Sequence, residues 1–361
     1  MSDPLDLQDL RQRVQAVVDA ELAAQSRVLA EIGPDLVPLV DTVTHLLRGG
    51  KRLRAAFAYW GYRAAGEPDS PALVRLATAM EFFQAAALLH DDVMDASDTR
   101  RGMPSAHRAV AAHHGEAGWS GSSDRFGEAA AILAGDLCLN WTDELYSTSG
   151  LPPEHLDRAR RTFDTMRTQL MGGQFLDLLE SARGWDGLTT AQRVSSARNV
   201  IRYKSAKYTI EHPLLIGATA GGAPESSIEP LSRYGLALGE AFQLRDDLLG
   251  VFGDPRSTGK PAGDDLREGK RTVLLAYALD AATEDQAATV DKLLGQPDLD
   301  AAGVEDLRAL LRDTGAVDRV ESMITADAAA AREALGAAPG LEPDACRVLA
   351  ALVDVSTARD S

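Results

Sequence analysis

Long stretches without glycine or proline alternate with short breaker-rich segments, and within the long stretches apolar residues recur at helical rather than strand spacing. Pro71 opens one that runs to Arg101, about eight turns if helical throughout. From Leu73 to Leu89 it is apolar almost all round, which predicts a helix enclosed by other helices. Leu5–Ile32 and Val37–Arg48 read as earlier helices, the second stopped by Gly49-Gly50. Further helices are predicted over Glu128–Thr148, Pro153–Ala182, Ala191–Ala218 and Pro230–Phe252. From Arg271 an Ala-rich helical remainder follows, broken near Gly295–Leu299. Gly115–Gly127 and Gly253–Gly269 read as loops. No sustained alternation of period two and no fixed-period repeat is found. The pattern predicts one all-α domain over residues 1–361.

Composition agrees and narrows the partners. Hydrophobic residues make up 45% of the 361 positions and aromatics only 5%, with Ala and Leu dominant, which favours helices over sheets. The formal net charge of −17 is opposite to that of a nucleic-acid binder. Cations nevertheless gather at Lys51–Arg54, Arg100-Arg101, Lys204–Lys207 and Lys260–Lys270, close in sequence to acidic clusters. That pattern points to a highly anionic ligand held partly through metal. Cys138 and Cys346 are too few and too far apart for a disulfide scaffold or a zinc site. Met1–Ala20 is charged and amphipathic without the apolar core of a signal peptide, and no run of 18 apolar residues occurs. A soluble, cytoplasmic protein without a membrane span is expected.

The chemistry concentrates in two aspartate pairs. His90-Asp91-Asp92-Val93-Met94-Asp95 ends the long apolar stretch, with Asp98 and Arg100-Arg101 beyond it. Phe242-Gln243-Leu244-Arg245-Asp246-Asp247 ends another, 155 residues further on. Carboxylates at the end of a greasy helix carry a large desolvation cost unless something pairs with them. Spacings of four and three place Asp91, Asp95 and Asp98 on one helix face, with Asp92 to the side. Two such clusters facing each other offer the hard oxygens that Mg²⁺ uses when it grips a diphosphate. Gly49-Gly50-Lys51-Arg52-Leu53-Arg54 sets Lys51 and Arg54 on one face, suited to a diphosphate gripped without metal. Gly173-Gln174-Phe175-Leu176-Asp177 and Tyr203-Lys204-Ser205-Ala206-Lys207 each read as structural when taken alone. His113-His114 reads as surface, and Asp264-Asp265 as turn or cap residues. No Walker-type loop or dinucleotide fingerprint is present.

In order, the motifs are Gly-Gly-Lys-Arg-Leu-Arg, Asp-Asp-x-x-Asp with Arg-Arg-Gly, Gly-Gln-x-x-Asp, Lys-Ser-Ala, and Phe-Gln-x-x-Asp-Asp with a later Gly-Lys. Over roughly Arg48 to Thr272 the chain resembles the trans-isoprenyl diphosphate synthases, or polyprenyl synthetases. The resemblance implies an all-α, single-domain helical bundle around a deep central cavity (the isoprenoid synthase type I fold), usually a homodimer. It implies that isopentenyl diphosphate is condensed with an allylic diphosphate (dimethylallyl, geranyl or farnesyl). About three Mg²⁺ ions would assist, held by Asp91, Asp95 and Asp246, with Asp92, Asp98 and Asp247 in support. Arg100, Lys204 and Lys260 would clamp the allylic diphosphate, with Gln243 and Lys270 nearby. Lys51, Arg54 and Arg101 would bind the diphosphate of isopentenyl diphosphate, and Ser205 and Gln243 would steady the cationic intermediate.

Two positions depart from the family pattern. Gln84 stands where many members carry a histidine ligand for isopentenyl diphosphate, and Gly250 where many carry a third aspartate of the second motif. For chain length, Ala86 and Ala87 leave open the space that bulky residues close in fifteen-carbon synthases. Phe83 and then Met80 would form the next floor. At about one helical turn per five-carbon unit, the expected product is geranylgeranyl diphosphate, with farnesyl or longer-chain products as alternatives. A class I terpene cyclase would have no use for the second cationic site, and a non-catalytic partner subunit would commonly lack one of the aspartate motifs.

Overall fold

The computed structural model describes residues 4–254, 263–296 and 298–358. The helices are α1 (Leu10–Ala30), α2 (Val37–Leu47), α3 (Leu53–Ala64), α4 (Pro71–Met94), α5 (Ala106–Glu116), α6 (Ser123–Ser147) and α7 (Pro153–Arg183). Then come α8 (Thr190–Val200), a π-helical segment (Ile201–Glu211), α9 (His212–Ala220) and α10 (Glu225–Phe252). The series closes with α11 (Asp264–Arg267), α12 (Val273–Ala281), α13 (Glu284–Leu293), α14 (Ala301–Asp313), α15 (Ala316–Gly336) and α16 (Pro343–Thr357). Among the described residues the sheet content is one hairpin, β1 (Thr99–Arg100) paired antiparallel with β2 (Met103–Pro104). The all-α expectation holds.

The chain divides into two compact units, Met1–Ala159 with Ile216–Ala223, and Arg160–Leu215 with Pro224–Ser361. In the first, α4 is the central helix, packed by α1, α2, α3, α5 and α6. Ser70 caps it, its hydroxyl accepting from the Leu73 amide at 3.1 Å, and Pro71 takes the first-turn position where no amide is needed. Fully buried Phe82 meets Trp141 of α6 edge-on, with ring centroids 6.2 Å apart. By length and composition α4 could cross a membrane, but 72% of its most apolar window is buried inside the protein, as in a core helix.

In the second unit α10 is central, packed by the π segment, α15 and α16, with α11 and α12 at its C-terminal end. Trp185, Ile201, Leu244, Leu248, Val273, Leu307 and Ile324 belong to its core. Three boundaries differ from the sequence reading. α10 begins at Glu225, so Pro230 lies inside it rather than opening it. α6 starts at Ser123, within the expected loop, where the Ser122 hydroxyl accepts from the Arg125 amide. The stretch read as one helix over Ala191–Ala218 contains eleven π-helical residues. His114, expected at the surface, is buried, with Nδ1 2.9 Å from the Ser123 hydroxyl; the start of α6 covers it.

Candidate active site

In the first unit the chemistry is built on the end of α4. Gln84, Ala87, Leu88 and Asp91 keep partial exposure along one face, while Met80, Phe83 and Ala86 are 1% exposed or less. The aspartate pair splits by direction. Asp91 is partly exposed, whereas Asp92 is buried and held by Arg100, whose Nε donates to its Oδ1 at 2.8 Å. Arg100 also stands 3.6 Å from Asp91. α4 stops at Met94, where Asp95 is the C-cap and Ala96 takes a left-handed conformation (φ 51°). Asp98 therefore leaves the helical face on which the spacing put it. It is exposed and pairs with Arg108 at 2.8 Å, while its carbonyl accepts from the Ser105 amide.

Arg-Arg-Gly forms the hairpin turn. Thr99 pairs with Pro104 and Arg100 with Met103, leaving Arg101 (φ 54°) and Gly102 (φ 75°) as the two turn residues. Both are left-handed, as in a type I′ turn, and Arg101 bears the strain a side chain carries there. Its guanidinium packs beside Gly50 and donates to the Leu46 carbonyl at 3.0 Å. Burial, together with the charges of Arg52, Arg100 and Arg54, holds the Arg101 pKa below its ordinary value, against an opposing pull from Glu81. The neighbouring guanidiniums bear on the charge of Arg101, and an anion beside Arg101 would be stabilised there. Arg52 anchors this region: it is 5% exposed, it pairs with buried Glu81 at 3.2 Å, and Glu81 also accepts from the Ala55 amide at 3.1 Å. Lys51 is exposed and Arg54 half-buried beside it.

His90 precedes the aspartates yet turns to α6, with Nε2 3.1 Å from the Ile132 carbonyl. Gly135 makes room for it, since a Cβ there would stand 2.2 Å from that nitrogen. Sequence reasoning gave neither residue this role, and the adjacency of His90 to Asp91 was the one available signal.

In the second unit the two motifs that read as structural alone are joined. Lys204 Nζ lies 2.5 Å from Asp177 Oδ2. Four residues earlier on α7, a Cβ at Gly173 would come within 2.3 Å of the Tyr203 carbonyl carbon and 2.4 Å of the Lys204 nitrogen. On the other side, Gly235 lies against the backbone of Glu211 and Gly239 against that of Ala206. One α-turn of α10 is thus matched to five residues of the partner strand of chain, the i→i+5 repeat of a π-helix. Glycines on α7 and α10 therefore seat the segment that carries Lys204, half-buried Ser205 and Lys207. The pairing of Asp177 with Lys204 escaped sequence reasoning, because no periodicity links residues 27 positions apart.

Asp246 and Asp247 split as the first pair does. Asp246 is exposed, while Asp247 is buried and accepts from Gln243 Nε2 at 2.9 Å. Burial above all pushes the Asp247 carboxyl up to about 7, with Lys270 opposing and Asp265 and Asp246 adding to the rise. Lys270 is in turn raised well above its ordinary value, first by Asp265 and then, against burial, by Asp247. Lys260 lies outside the described residues.

Each motif thus presents outward hard-oxygen donors (Asp91, Asp95 and Asp246) backed by a buried carboxylate that another side chain holds. Among the described residues no three His, Cys, Asp or Glu side chains form a closed metal cage. Outward carboxylates are the donors Mg²⁺ uses, since it keeps several waters and takes one or two carboxylates.

Residues 38–311 match the family model described as polyprenyl synthetase. The chain belongs to the polyprenyl synthetase family. It is 32% identical over 318 residues to a geranylfarnesyl diphosphate synthase of Aeropyrum pernix, covering 86% of this chain and 91% of that one. It is 32% identical over 350 residues to a nonaprenyl diphosphate synthase of Mycobacterium tuberculosis, covering 96% and 91%. The crystal structure of a geranylgeranyl pyrophosphate synthase from Corynebacterium glutamicum, complexed with isoprenyl diphosphate and magnesium, superposes with a TM-score of 0.90 at 40% identity, covering 97% and 99%. The activity class of this polyprenyl synthetase is that of a trans-prenyl diphosphate synthase.

Proposed function

We propose that the protein is a geranylgeranyl diphosphate synthase, condensing isopentenyl diphosphate with an allylic diphosphate. The observation that carries the elongation reading is that Arg54 bears on the charge of Arg101, in the same unit as Asp91 and Asp92 and apart from Arg100, which Asp92 engages. Arg54 and Arg101 supply a metal-independent diphosphate grip in addition to the aspartates, and only a two-substrate reaction needs both. Asp91, Asp95 and Asp246 would hold about three Mg²⁺, whose chemistry when bound is to offset the charge of departing pyrophosphate. Arg100 and Lys204 neutralise the rest of that charge, with Lys260 and Lys270, so that the allylic C–O bond ionises. Lys51, Arg54, Arg101 and the Gln84 amide orient isopentenyl diphosphate so that its double bond attacks the carbocation. Ser205 and Gln243 steady the cation, and the proton lost afterwards passes to pyrophosphate. Asp92, held by Arg100, and Asp247, held by Gln243, fix the outward carboxylates beside them.

The names of relatives span geranylfarnesyl, nonaprenyl and geranylgeranyl synthases, so relationship alone does not select a length. Ala87, small and partly exposed on the face of Asp91, with buried Phe83 a turn deeper, supports twenty carbons. The family match runs through both units, which supports residues 1–361 acting as one polyprenyl synthetase domain. Exposed Phe126, Ile132 and Leu133 on α6 support a homodimer.

The deciding experiment incubates purified protein with labelled isopentenyl diphosphate, Mg²⁺ and each of dimethylallyl, geranyl and farnesyl diphosphate, then sizes the dephosphorylated products. Geranylgeraniol is expected. Absence of elongation with every primer overturns the enzyme assignment, and a product ending at farnesol overturns the chain length.

A further inference from the structure

The π segment that carries Lys204 and Ser205 is tied to α10 by a buried carboxylate at each end. At its start, Glu240 of α10 is 4% exposed and accepts from two arginines. Arg202 Nε and Nη2 donate to Glu240 Oε1 at 3.1 and 2.9 Å. Arg198, in the last turn of α8, donates to Oε2 through Nε at 3.1 Å and also through Nη2. At the far end the carboxylate belongs to the segment itself. Glu211 is 3% exposed, and its Oε1 accepts from the Ser232 hydroxyl of α10 at 2.5 Å. Lys207 Nζ stands 2.9 Å from its Oε2.

The two ties enclose unequal lengths of chain. Ser232 to Glu240 is eight residue steps of α10, about 12 Å at the α-helical rise. Arg202 to Glu211 is nine steps, which would rise about 13.5 Å as an α-helix. One residue is left over, and an i→i+5 turn is how a helix takes up one residue more. The His212 amide donates to the Lys207 carbonyl five residues back, at the end of this interval. Gly235 and Gly239 let the two backbones approach, but a close approach alone is not directional and fixes no register. The charge-assisted forks at Glu240 are directional.

We propose that Glu240 is a positioning residue for Lys204, and that with the Ser232–Glu211 bond it holds the extra residue inside the π segment. The consequence for catalysis rests on the function proposed above, in which Lys204 clamps the allylic diphosphate. Without Glu240 the first turn of the segment is released while its far end stays tied. Expelling the extra residue then turns that first turn by about 100°, one residue of helix, and carries Lys204 away from Asp177.

The test compares wild type, Glu240→Gln, Ser232→Ala and the triple variant Arg198→Met/Arg202→Met/Glu240→Leu. Hydrogen exchange of the peptides covering 201–211 is measured without substrate, and Tm and steady-state kinetics with each substrate varied are set beside it. Glu240→Gln and Ser232→Ala should each exchange roughly tenfold faster in this segment, as expected for losing a hydrogen bond to a charged group. Glu240→Gln should lower Tm and cut kcat/KM for the allylic diphosphate about 10- to 100-fold, with KM for isopentenyl diphosphate near wild type. The triple variant leaves no charge of the group unpaired, so its Tm should return toward wild type while the allylic defect persists. A triple variant with wild-type allylic kcat/KM would show that the group only stabilises, and would overturn the positioning role. Wild-type exchange in Glu240→Gln, or equal losses toward both substrates, would overturn it as well. A wild type that elongates nothing counts against the proposed function alone, since the exchange comparison needs no substrate and still decides the register.

Discussion

Lys204 Nζ stands 2.5 Å from Asp177 Oδ2, which joins the Lys-Ser-Ala motif of the π segment to the Gly-Gln-x-x-Asp motif of α7. Both side chains retain 16% exposure, so the pair borders open space without being freely solvated. Asp177 holds the ammonium on a segment whose backbone Gly173 has already drawn close. Asp177→Asn should leave the fold intact while releasing Lys204. A hydrogen bond to a charged partner contributes about 1.5–3 kcal/mol, so kcat/KM for the allylic substrate should fall roughly 10- to 100-fold. Steady-state kinetics with allylic diphosphate varied would check this, and KM for isopentenyl diphosphate should change far less.

Neighbouring glycines on α7 should respond oppositely to one methyl group. Gly172 is exposed with nothing among the described residues within 4 Å of a Cβ position, whereas Gly173 is buried against the backbone of Tyr203 and Lys204. Gly172→Ala should stabilise by about 0.5–1 kcal/mol through helix propensity. Gly173→Ala has to push apart two backbones and should destabilise by about 1–3 kcal/mol. Thermal melts of the two variants side by side would decide it, and equal shifts would contradict the close seat of the π segment.

Much of the site was legible because helical period and charge type carry it. Asp91 and Asp95 could be placed on a helix face from spacing alone, and the end of an apolar helix marked the aspartates as unusual. Other features left no periodic trace. The left-handed Ala96 that ends α4 before Asp98 carries neither glycine nor proline to announce it. Pro230 reads as a helix start, and only the preceding turn from Glu225 shows otherwise. The π segment is written mainly in the glycines of its neighbours.

The acid–base character of the second unit provides a pH test remote from the aspartate motifs. Asp327 on α15 is pushed up to about 6, chiefly by burial and further by Glu240 of α10, with Arg198 of α8 pulling the other way. Glu240 is engaged by both Arg198 and Arg202, and among the described residues Asp327 Oδ2 has no hydrogen-bond partner. A carboxyl whose folded pKa lies above its unfolded value favours the native state while protonated. That contribution is full below about 4 and is lost as pH rises through about 6. Asp327→Asn should therefore stabilise the protein by about 1–2 kcal/mol at pH 8, allowing for partial exposure, and change little at pH 4. Denaturant unfolding at both pH values measures it, and a gain of the same size at each would contradict the buried-charge origin.

Ala86 and Ala87 separate two ways of reading chain length. Ala87 keeps partial exposure on the face that carries Asp91, whereas Ala86 is 0% exposed and packed in the core of the first unit. A phenylalanine at 87 has space to enter and would stand about one helical turn from Asp91. Ala87→Phe should fold normally and shorten the main product by one five-carbon unit. Ala86→Phe has to overpack a closed core and should lose about 1–3 kcal/mol or more of stability before it alters the product. Phe83 and Met80, each 1% exposed, are poor first choices, since truncating a buried Phe or Met costs about 2–5 kcal/mol and would confound the product analysis. Sizing the dephosphorylated products of Ala87→Phe, with its melting temperature measured alongside, tests the idea. An unchanged product from a folded variant would place the determinant of length on another helix.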